Sequence, residues 1–333
     1  MKIALVYNER LPAVRYGGVE RVVMNLAKSY RELGHEVFLL AGQGSELADY
    51  DHAIYPADKA NKDISQFLPA DVDFVHLSQP EPVKPSKPHL FTIHGNASPG
   101  EKFFPNTSFV SASHARNHRA KYYVLQAVDV ARYPYVAQKE DYYVFMAKAK
   151  WRVKNLKTAL AFANDLGVRL KVIGGDGRNT KNVEYLGFLG DHEGRLEILS
   201  KARALIYPTN WDEPCAMAPL EAFACGTPVI GSTNGSMLEV VEPRVGLITS
   251  KYPEFLGFHA ALGGIRPDDC RTVAEEKFSA RRQAQDYLKL MARVLEMGSL
   301  DQSPAQFDHP DTVSYLYKPT AYNRLVYRIR GKI

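Results

Sequence analysis

Two carboxylates, Glu213 and Glu221, stand eight positions apart in the segment EPCAMAPLEAFACGTPVIG. Glu213 falls in a loop and Glu221 in the first turn of a predicted helix, so both can face the same cleft. A carboxylate in such a place can accept hydrogen bonds from both hydroxyls of a vicinal diol. The pair therefore indicates sugar or ribose recognition, and the alternative is an ordinary strand-to-helix connection with two solvated acids.

The helix that starts between these acids is predicted to begin without a capping side chain. Pro219 suits the first helical position, and Gly226 supplies a left-handed stop. The four residues before Pro219 are poor caps: Cys215, Ala216, Met217 and Ala218. Uncapped amides at the positive end of a helix dipole suit an anion or sugar hydroxyls.

Two lysines, Lys148 and Lys154, follow a predicted strand in VFMAKAKWRVKN. A loop of this length can fold both ammonium groups onto one diphosphate, where they would stabilise negative charge on a departing phosphate. Two solvated lysines in a polar loop are the alternative. That alternative weakens because Glu213 and Glu221 follow at the corresponding place in the same α/β unit.

These side chains need a scaffold, and its pattern is an alternation of apolar runs and helical periodicity. An amphipathic helix is predicted from Val19 to Leu33, with Gly34 as its end. Strands are predicted in the amino-terminal part at KIALVY, EVFLLA, DFVHLS, HLFTIHG and SFVSAS. The proline-rich run QPEPVKPSKPH is predicted to be an exposed, stiff loop.

The alternating pattern restarts near residue 140. Strands are predicted there at YYVFMA, RLKVIGG, ARALIYP and TPVIGS, and helices at KNLKTALAFANDLG, at HEGRLEILSKA and from Cys270 to Met297. Strands separated by crossovers form parallel sheets, so we expect an α/β protein with two Rossmann-like, doubly wound domains that face a central cleft. The predicted division is 1–137, 138–295 and a basic, aromatic tail at 296–333.

Composition excludes several classes of protein. With 333 residues, 45% hydrophobic and 24% charged, the chain is predicted to be globular, and no apolar run has the length of a bilayer helix. The net charge of +5 is mild, which argues against a nucleic-acid partner. Three cysteines without a CxxC pair support neither a disulfide frame nor a zinc site. The apolar run in MKIALVYNE is too short for a secretory signal, so we expect a cytoplasmic protein.

Together these motifs resemble family 4 of the glycosyltransferases, which has the GT-B architecture of two Rossmann domains. The family pattern is a Glu, seven residues, a second Glu and a Gly-Thr-Pro-Val turn, as found here from Glu213 to Ile230. Further matches are AKAKWRVKN, GGDG at 174–177, YLGFLGD at 185–191, RYGGVERVVMNLAKSYRELGHEV and FTIHG. The resemblance extends from residue 1 to about residue 295.

The resemblance implies transfer of a hexose, with retention, from a UDP- or GDP-linked donor to a hydroxyl of a glycan or lipid-linked acceptor. Cell-envelope polysaccharide or lipopolysaccharide synthesis is the implied setting. The first domain would bind the acceptor and the second the nucleotide sugar. A nucleotide-sugar epimerase and a non-catalytic nucleotide-sugar-binding protein of the same fold are the alternatives, and a dehydrogenase is disfavoured because no GxGxxG follows KIALVY.

The resemblance also implies a role for each matched residue. Glu213 would hold hydroxyls of the transferred sugar, Glu221 would hold the ribose, and Lys148 and Lys154 would bind the diphosphate. The implied catalytic set is Glu213, His94, Lys148 and Lys154. Further donor-binding residues are Gly17, Gly18, Cys215, Ala216, Met217, Ala218 and Gly187. Acceptor-binding residues are Arg15, Tyr16 and Asn96.

Three positions depart from the family pattern. Gly-Arg is replaced by Ala147-Lys148, an aromatic followed by Gly is replaced by Cys215-Ala216, and an interdomain Asn-Gly is replaced by Gln126-Ala127. Because lysine lacks the bidentate fork of arginine, these changes bear on donor preference.

No metal and no cofactor are expected. The two lysines and the helix amides would offset charge on the leaving diphosphate, and we do not expect DVD at 71–73 or DYD at 49–51 to bind a metal ion. The tail at 315–333 has basic and aromatic residues on helical faces. It is predicted either to contact the inner face of the membrane or to pack on the first domain.

Overall fold

The computed structural model describes residues 1–13, 17–56, 62–98, 100–189 and 192–307. The described part contains two six-stranded sheets whose strands all run parallel. This arrangement confirms the predicted α/β fold class with two Rossmann-like domains.

The first sheet has the strand order β3-β2-β1-β4-β5-β6. Its strands are β1 (Lys2–Tyr7), β2 (Glu36–Ala41), β3 (Asp51–Ile54), β4 (Phe74–Leu77), β5 (His89–Thr92) and β6 (Thr107–Ser108). The central strands are apolar almost throughout because helices or loops cover both faces of a parallel sheet. Ile3 pairs with Val37 of β2 on one side and with Phe74 of β4 on the other, and all three are buried.

The second sheet has the order β12-β11-β10-β7-β8-β9. Its strands are β7 (Tyr143–Met146), β8 (Leu170–Ile173), β9 (Val183–Tyr185), β10 (Ala204–Tyr207), β11 (Val229–Gly231) and β12 (Gly246–Ile248). Strands β7 and β10 are neighbours, although about sixty residues separate them in the chain. The loops that follow these two strands therefore emerge side by side.

Nine helices lie in the described ranges. They are α1 (Val19–Glu32), α2 (Ala112–Asn117), α3 (Leu156–Leu166), α4 (His192–Lys201), α5 (Met217–Ala224), α6 (Met237–Val240), α7 (Tyr252–Ala261), α8 (Pro267–Lys277) and α9 (Ala280–Met297). Among the residues that the structure describes, no helix combines the length and apolar character needed to cross a bilayer.

Two predicted elements differ from the structure. The run SFVSAS was predicted to be a strand, but only its first residue belongs to β6, and α2 begins at Ala112 because the Ser111 hydroxyl accepts a hydrogen bond from the His114 amide at 3.0 Å. The helix predicted from Cys270 to Met297 is interrupted between α8 and α9. Ser279 is extended there and caps α9 with its side chain.

Helix α9 returns to the amino-terminal half of the molecule. Tyr287, Met291 and Val294 pack in one core with Val22 and Leu26 of α1. The predicted division placed most of α9 in the second domain, and its packing places it against the first sheet. The domain boundaries themselves remain a prediction. Residues 308–333, which include the basic tail at 315–333, lie outside the described part of the chain.

Candidate active site

The predicted site residues of the second domain cluster at the carboxyl ends of β7 and β10. Lys148 and Lys154 follow β7, and Glu213 follows β10. Since β7 and β10 are neighbours in a parallel sheet, the loops after them share one edge. The topology thus brings Lys154 and Glu213 together although they are far apart in the chain.

Glu213 forms a buried ion pair with Lys154. The Lys154 ammonium lies 2.5 Å from Oε2 of Glu213, and the Tyr207 hydroxyl donates to the same oxygen at 2.9 Å. The ammonium also donates to the Tyr207 hydroxyl at 3.0 Å and lies 4.9 Å from the centre of the Trp211 ring. Aromatic faces attract cations, so the ring helps to hold the ammonium in place.

The backbone of Glu213 is held by the loop that precedes α6. The Ser236 amide donates to the Glu213 carbonyl at 2.9 Å. Gly235 has a φ of +60°, and a Cβ atom at this position would lie 2.2 Å from the Glu213 nitrogen. Only glycine combines this φ with so close an approach, so Gly235 permits the loop to lie against Glu213.

Glu221 lies on α5 and is fully buried between two arginines. Arg21 of α1 contacts its Oε1 at 2.9 Å, and Arg195 of α4 contacts the same oxygen at 3.2 Å. The Arg21 Nε also donates to the Gly17 carbonyl at 2.8 Å, so the glycine loop orients this guanidinium. A carboxylate from one half of the molecule is thus bound by cations from both halves.

Four charged side chains line a cleft between the two sheets, and the Glu213–Lys154 pair lies outside its lining. The cleft, which is open to solvent, spans about 430 Å³ and is lined by Lys148, Arg21, Arg195 and Glu221 among others. Three cationic side chains face one carboxylate there, an excess of two positive charges. Such a lining suits a ligand with two negative charges, since arginine and lysine are the usual partners of phosphate oxygens.

Helix α5 presents its amino terminus to this cleft without a side-chain cap. Ala216 occupies the capping position and makes no capping hydrogen bond, and Met217 and Ala218 line the cleft. The predicted place of Pro219 at the first helical position is wrong, because α5 begins at Met217 and Pro219 is the third residue. Proline is still tolerated there, since the first four N–H groups of a helix have no partner within it.

Cys215 and Ala216 provide apolar surroundings for the start of α5 rather than reactive groups. Both are buried. Burial raises the pKa of the Cys215 thiol to about 12, so the thiolate is not formed near neutral pH. The segment 215–218 therefore offers the helix amides within apolar surroundings, where hydrogen bonds to an anion are strong.

Gly187 supports the floor of the cleft through Gly174. The Gly174 amide donates to the Gly187 carbonyl at 2.8 Å, and Gly174 itself lines the cleft. Gly174 has a φ of +93°, and a Cβ atom there would lie 2.2 Å from the Ala147 carbonyl oxygen. The loops after β7 and β8 can therefore approach each other only with glycine at 174.

The glycine loop before α1 is described only in part. Gly18 is the residue that precedes α1, and a Cβ atom there would meet nothing within 4 Å. At Gly17 an added Cβ would lie 2.6 Å from atoms of Ala13 and Glu20. Arg15 and Tyr16, the predicted acceptor-binding residues, lie outside the described residues.

His94 and Asn96 lie just beyond β5, on the cleft side of the first sheet. The Nδ1 of His94 lies 2.8 Å from the side-chain nitrogen of Gln126, and burial lowers the pKa of His94 to about 4, so the ring is neutral at pH 7. The Asn96 side chain donates to the Asp212 carbonyl at 2.8 Å. Asn96 therefore ties the first domain to the loop that carries Glu213.

The acidic motifs DVD and DYD lie elsewhere. The Lys2 ammonium donates to Asp71 at 2.8 Å, and the Lys2 amide donates to Asp73 at 2.8 Å. Asp51 lies on the edge strand β3. Within the described ranges, no group of three or more His, Cys, Asp or Glu side chains is arranged to hold a metal ion.

Two family profiles match overlapping parts of the chain, which together extend from residue 16 to residue 255. The profile described as Glycosyltransferase Family 4 matches residues 16–136, and that described as Glycosyl transferases group 1 matches residues 132–255. The chain is a family 4 glycosyltransferase with the GT-B fold. The cleft between its two sheets is where the family resemblance implies a nucleotide-sugar donor.

Relatives and solved structures agree with this assignment. The glycosyltransferase is 24% identical over 307 residues to the phosphatidyl-myo-inositol mannosyltransferase of Propionibacterium freudenreichii, a match that covers 70% of this chain and 78% of that enzyme. It is also 28% identical over 137 residues to a GDP-mannose-dependent α-(1-6)-phosphatidylinositol dimannoside mannosyltransferase of Mycobacterium tuberculosis. That match covers 38% of this chain and only about a third (34%) of the length of that enzyme.

The crystal structure of AviGT4, a glycosyltransferase involved in avilamycin A biosynthesis, superposes with a TM-score of 0.73 at 27% sequence identity. That match covers 89% of this chain and 98% of AviGT4.

Arg21 and Arg195 are cleft residues that the sequence did not single out. Arg21 lies in the segment GGVERVV, which was recognised for its glycines, and Arg195 lies in a helix that was recognised only by its periodicity. Neither has a local signature of ligand binding. The position of Arg21 could have indicated its role. It is the third residue of α1, directly after the glycine loop that follows β1.

Proposed function

We propose that this glycosyltransferase transfers a hexose, with retention at the anomeric carbon, from a UDP- or GDP-linked donor to a hydroxyl of a lipid-linked or glycan acceptor. The observation that carries the proposal is the buried Glu213–Lys154 pair beside a cleft with an excess of positive charge. A sugar diphosphate fits both features, since its hydroxyls require a hydrogen-bond acceptor and its phosphates require cations.

In the proposed reaction, the bond between the anomeric carbon and the diphosphate oxygen breaks, and the acceptor oxygen takes its place. Negative charge grows on the departing diphosphate. Lys148, Arg195 and the uncapped amides at the start of α5 would stabilise that charge. Lys154 would do so while it keeps its contact with Glu213.

Glu213 is the proposed partner of the transferred sugar, and Glu221 that of the ribose. In the described structure both acids already contact cationic side chains, so each carboxylate is oriented before a donor binds. The family resemblance assigns the same two roles, and the position of both acids around the uncapped start of α5 supports them.

A lipid-linked acceptor is the proposed acceptor class. Two similar enzymes are named for phosphatidylinositol or its mannosides, and both names describe mannosyl transfer. Such an acceptor would require the enzyme to work at a membrane surface, with the basic tail at 315–333 as the proposed contact and the inner face of the membrane as the proposed place. Cell-envelope glycan or lipopolysaccharide synthesis is the proposed setting.

The test measures nucleoside diphosphate release from GDP-mannose and UDP-glucose in the presence of vesicles that contain phosphatidylinositol. We expect release with one donor, and a loss of about 100-fold or more for Glu213→Gln, because a neutral amide cannot replace the charge that binds Lys154 and sugar hydroxyls. The control is Glu197→Gln, an exposed acid that pairs with Lys201 on the outer face of α4.

The two variants distinguish the site from a general effect of lost charge. Comparable activity of Glu213→Gln and the wild type would contradict the proposed role of Glu213. An inverted anomeric centre in the product, determined by proton NMR, would contradict retention. Sugar epimerisation without transfer would favour the epimerase alternative instead.

A further inference from the structure

A chain of side-chain amides lies behind the His94 ring. Gln283 of α9 donates through Nε2 to the Leu125 carbonyl at 3.3 Å and to Oε1 of Gln126 at 3.1 Å. Gln126 in turn contacts Nδ1 of His94 through its own Nε2, at 2.8 Å. The chain of amides thus connects helix α9 to His94, which lies just beyond β5.

The direction of this chain follows from a backbone group. A carbonyl oxygen can only accept, so the group of Gln283 next to Leu125 must be its amide nitrogen. The same nitrogen faces Gln126, which must therefore present its oxygen to Gln283 and its nitrogen to His94. An amide nitrogen only donates, so Nδ1 of His94 is the acceptor.

The accepting Nδ1 determines where the His94 proton lies. In a neutral imidazole one nitrogen accepts and the other carries the hydrogen, so the proton is on Nε2. This Nε2 is shielded from solvent and has no hydrogen-bond partner among the residues that the structure describes. A shielded donor without a partner is unfavourable, and a ligand atom that accepts from it would remove that penalty.

The ring lies near the proposed place of the transferred sugar. Asn96, two residues after His94, donates to the Asp212 carbonyl, and Asp212 directly precedes Glu213. Two residues span at most about 7 Å, so the His94 backbone and the Glu213 loop lie close together. A hydroxyl bound by Glu213 on one side can be approached by His94 on the other.

We infer that Gln126 and Gln283 are positioning residues that hold His94 in the form protonated on Nε2, so that the ring donates a hydrogen bond to a hydroxyl of the transferred sugar. The inference rests on the proposed function for the identity of that hydroxyl. Gln126 occupies a place where the family pattern has Asn, and its longer side chain reaches His94 while it still contacts Gln283.

The experiment reads the tautomer directly. Ring ¹⁵N chemical shifts of His94, assigned with a His94→Gln variant, report which nitrogen carries the proton in the wild type, in Gln126→Met and in Gln283→Met. The control is Gln285→Met, which removes an exposed amide two residues along α9. Methionine keeps the length of glutamine and removes its hydrogen-bonding groups.

We expect protonation on Nε2 in the wild type and in Gln285→Met, and a mixture of both forms in Gln126→Met. Gln283→Met should give a smaller shift toward the same mixture, because the Gln126 amide is then free to turn. With the donor sugar that supports transfer, kcat of Gln126→Met should fall about tenfold while KM changes less than twofold, since the lost bond is one that strengthens in the transition state.

Each result tests a separate part of the inference. A wild-type ring protonated on Nδ1 would overturn the inference, and so would equal tautomer populations in Gln126→Met and the wild type. A changed tautomer with unchanged kcat would remove the contact between His94 and the sugar. If no donor supports transfer by the wild type, the proposed function fails, and the ¹⁵N shifts still decide whether the two glutamines set the tautomer.

Discussion

The carboxylate of Glu221 shows how the surroundings of one residue change its chemistry. Considered alone, it is an acceptor for a ribose diol. In the structure it also anchors Arg21 and Arg195 through its Oε1. A ribose would therefore approach Oε2 of Glu221, and the two guanidinium groups would already be oriented toward the proposed phosphate site. One buried acid thereby orients cations from both domains.

Arg195 is predicted to contribute to nucleotide affinity. Its side chain is buried and lines the cleft, so Arg195→Met removes a desolvated positive charge from the proposed phosphate site. We expect the affinity for GDP or UDP, measured by calorimetry, to fall about tenfold or more, because charge-assisted hydrogen bonds contribute about 1.5–3 kcal/mol each.

The matched control for Arg195 is Arg244→Met. Arg244 is exposed and pairs with Glu242 and Glu276, away from the cleft lining. Its replacement should leave nucleotide affinity within about twofold of the wild type, since exposed ion pairs contribute little. Equal affinities of Arg195→Met and the wild type would remove Arg195 from the proposed diphosphate site.

Among the elements, α9 has the largest structural role beyond its own domain. It follows α8 in the chain, yet it packs on α1 and the first sheet and carries Gln283 to Gln126. Its start depends on Ser279, whose hydroxyl accepts from the Arg282 amide at 3.4 Å. Without that break, α8 and α9 would form one helix that could not return to the first sheet.

Ser279→Ala is predicted to destabilise the protein. The change removes the cap of α9, and the free energy of unfolding in urea should fall by about 1 kcal/mol, the usual cost of an N-cap removal. Ser303→Ala, at an exposed loop position, is the control and should change the free energy by less than about 0.5 kcal/mol. A Ser279→Ala protein as stable as the control would show that tertiary packing alone sets the start of α9.

At the scale of the whole molecule, the two halves are joined by hydrogen bonds next to the site. The Ser111 hydroxyl donates to the Pro214 carbonyl at 2.6 Å, and the Asn117 amide donates to the Asp212 carboxylate. Glu239 accepts from the amides of Ala112 and Ser113 at the start of α2. These contacts hold the loop around Glu213 against the first domain, so the site is assembled by both halves.

Stability is predicted to fall between pH 7 and pH 5.5. Burial lowers the pKa of His76 to about 3 and of His94 to about 4, and it holds the pKa of His114 well below its ordinary value. In this pH window the unfolded chain, with ordinary histidine pKa values near 6.5, binds protons that the folded chain excludes. The free energy of unfolding should therefore decrease by about 1 kcal/mol for each group, or about 3–4 kcal/mol in total.

Urea unfolding at the two pH values measures this effect, and His76→Gln provides its control. His76 is fully buried between Tyr30 and Thr92, so its replacement will lower stability at both pH values. The pH-dependent difference, however, should shrink by about 1 kcal/mol, since one proton-excluding group is gone. A wild-type protein equally stable at both pH values would show that these rings bind protons in the folded state.

Local patterns were sufficient for much of the fold. The apolar run of β1 and the three-and-four spacing of α1 are strong signals, because burial on both faces or on one stripe leaves a direct record in the sequence. The strands β3, β9 and β12 were not predicted. All three are short edge strands with partly exposed residues, so their apolar pattern is weak.

Two motifs could be recognised from the sequence because each lies within one loop and its adjoining helix. One is the spacing of Glu213 and Glu221 around an uncapped helix start, and the other is the pair of lysines after β7. The partners of these residues could not be recognised in this way. Arg21 and Glu221 are 200 positions apart, and Gln283 and Gln126 are 157 apart. Their contacts exist only because parallel strands and the return of α9 bring distant segments to one cleft. Sequence by itself determined the family and the two-domain fold class, and it pointed to the acids and lysines of the proposed site. Tertiary structure alone decided which charges and amides those residues meet, since long-range contacts have no local record in the chain.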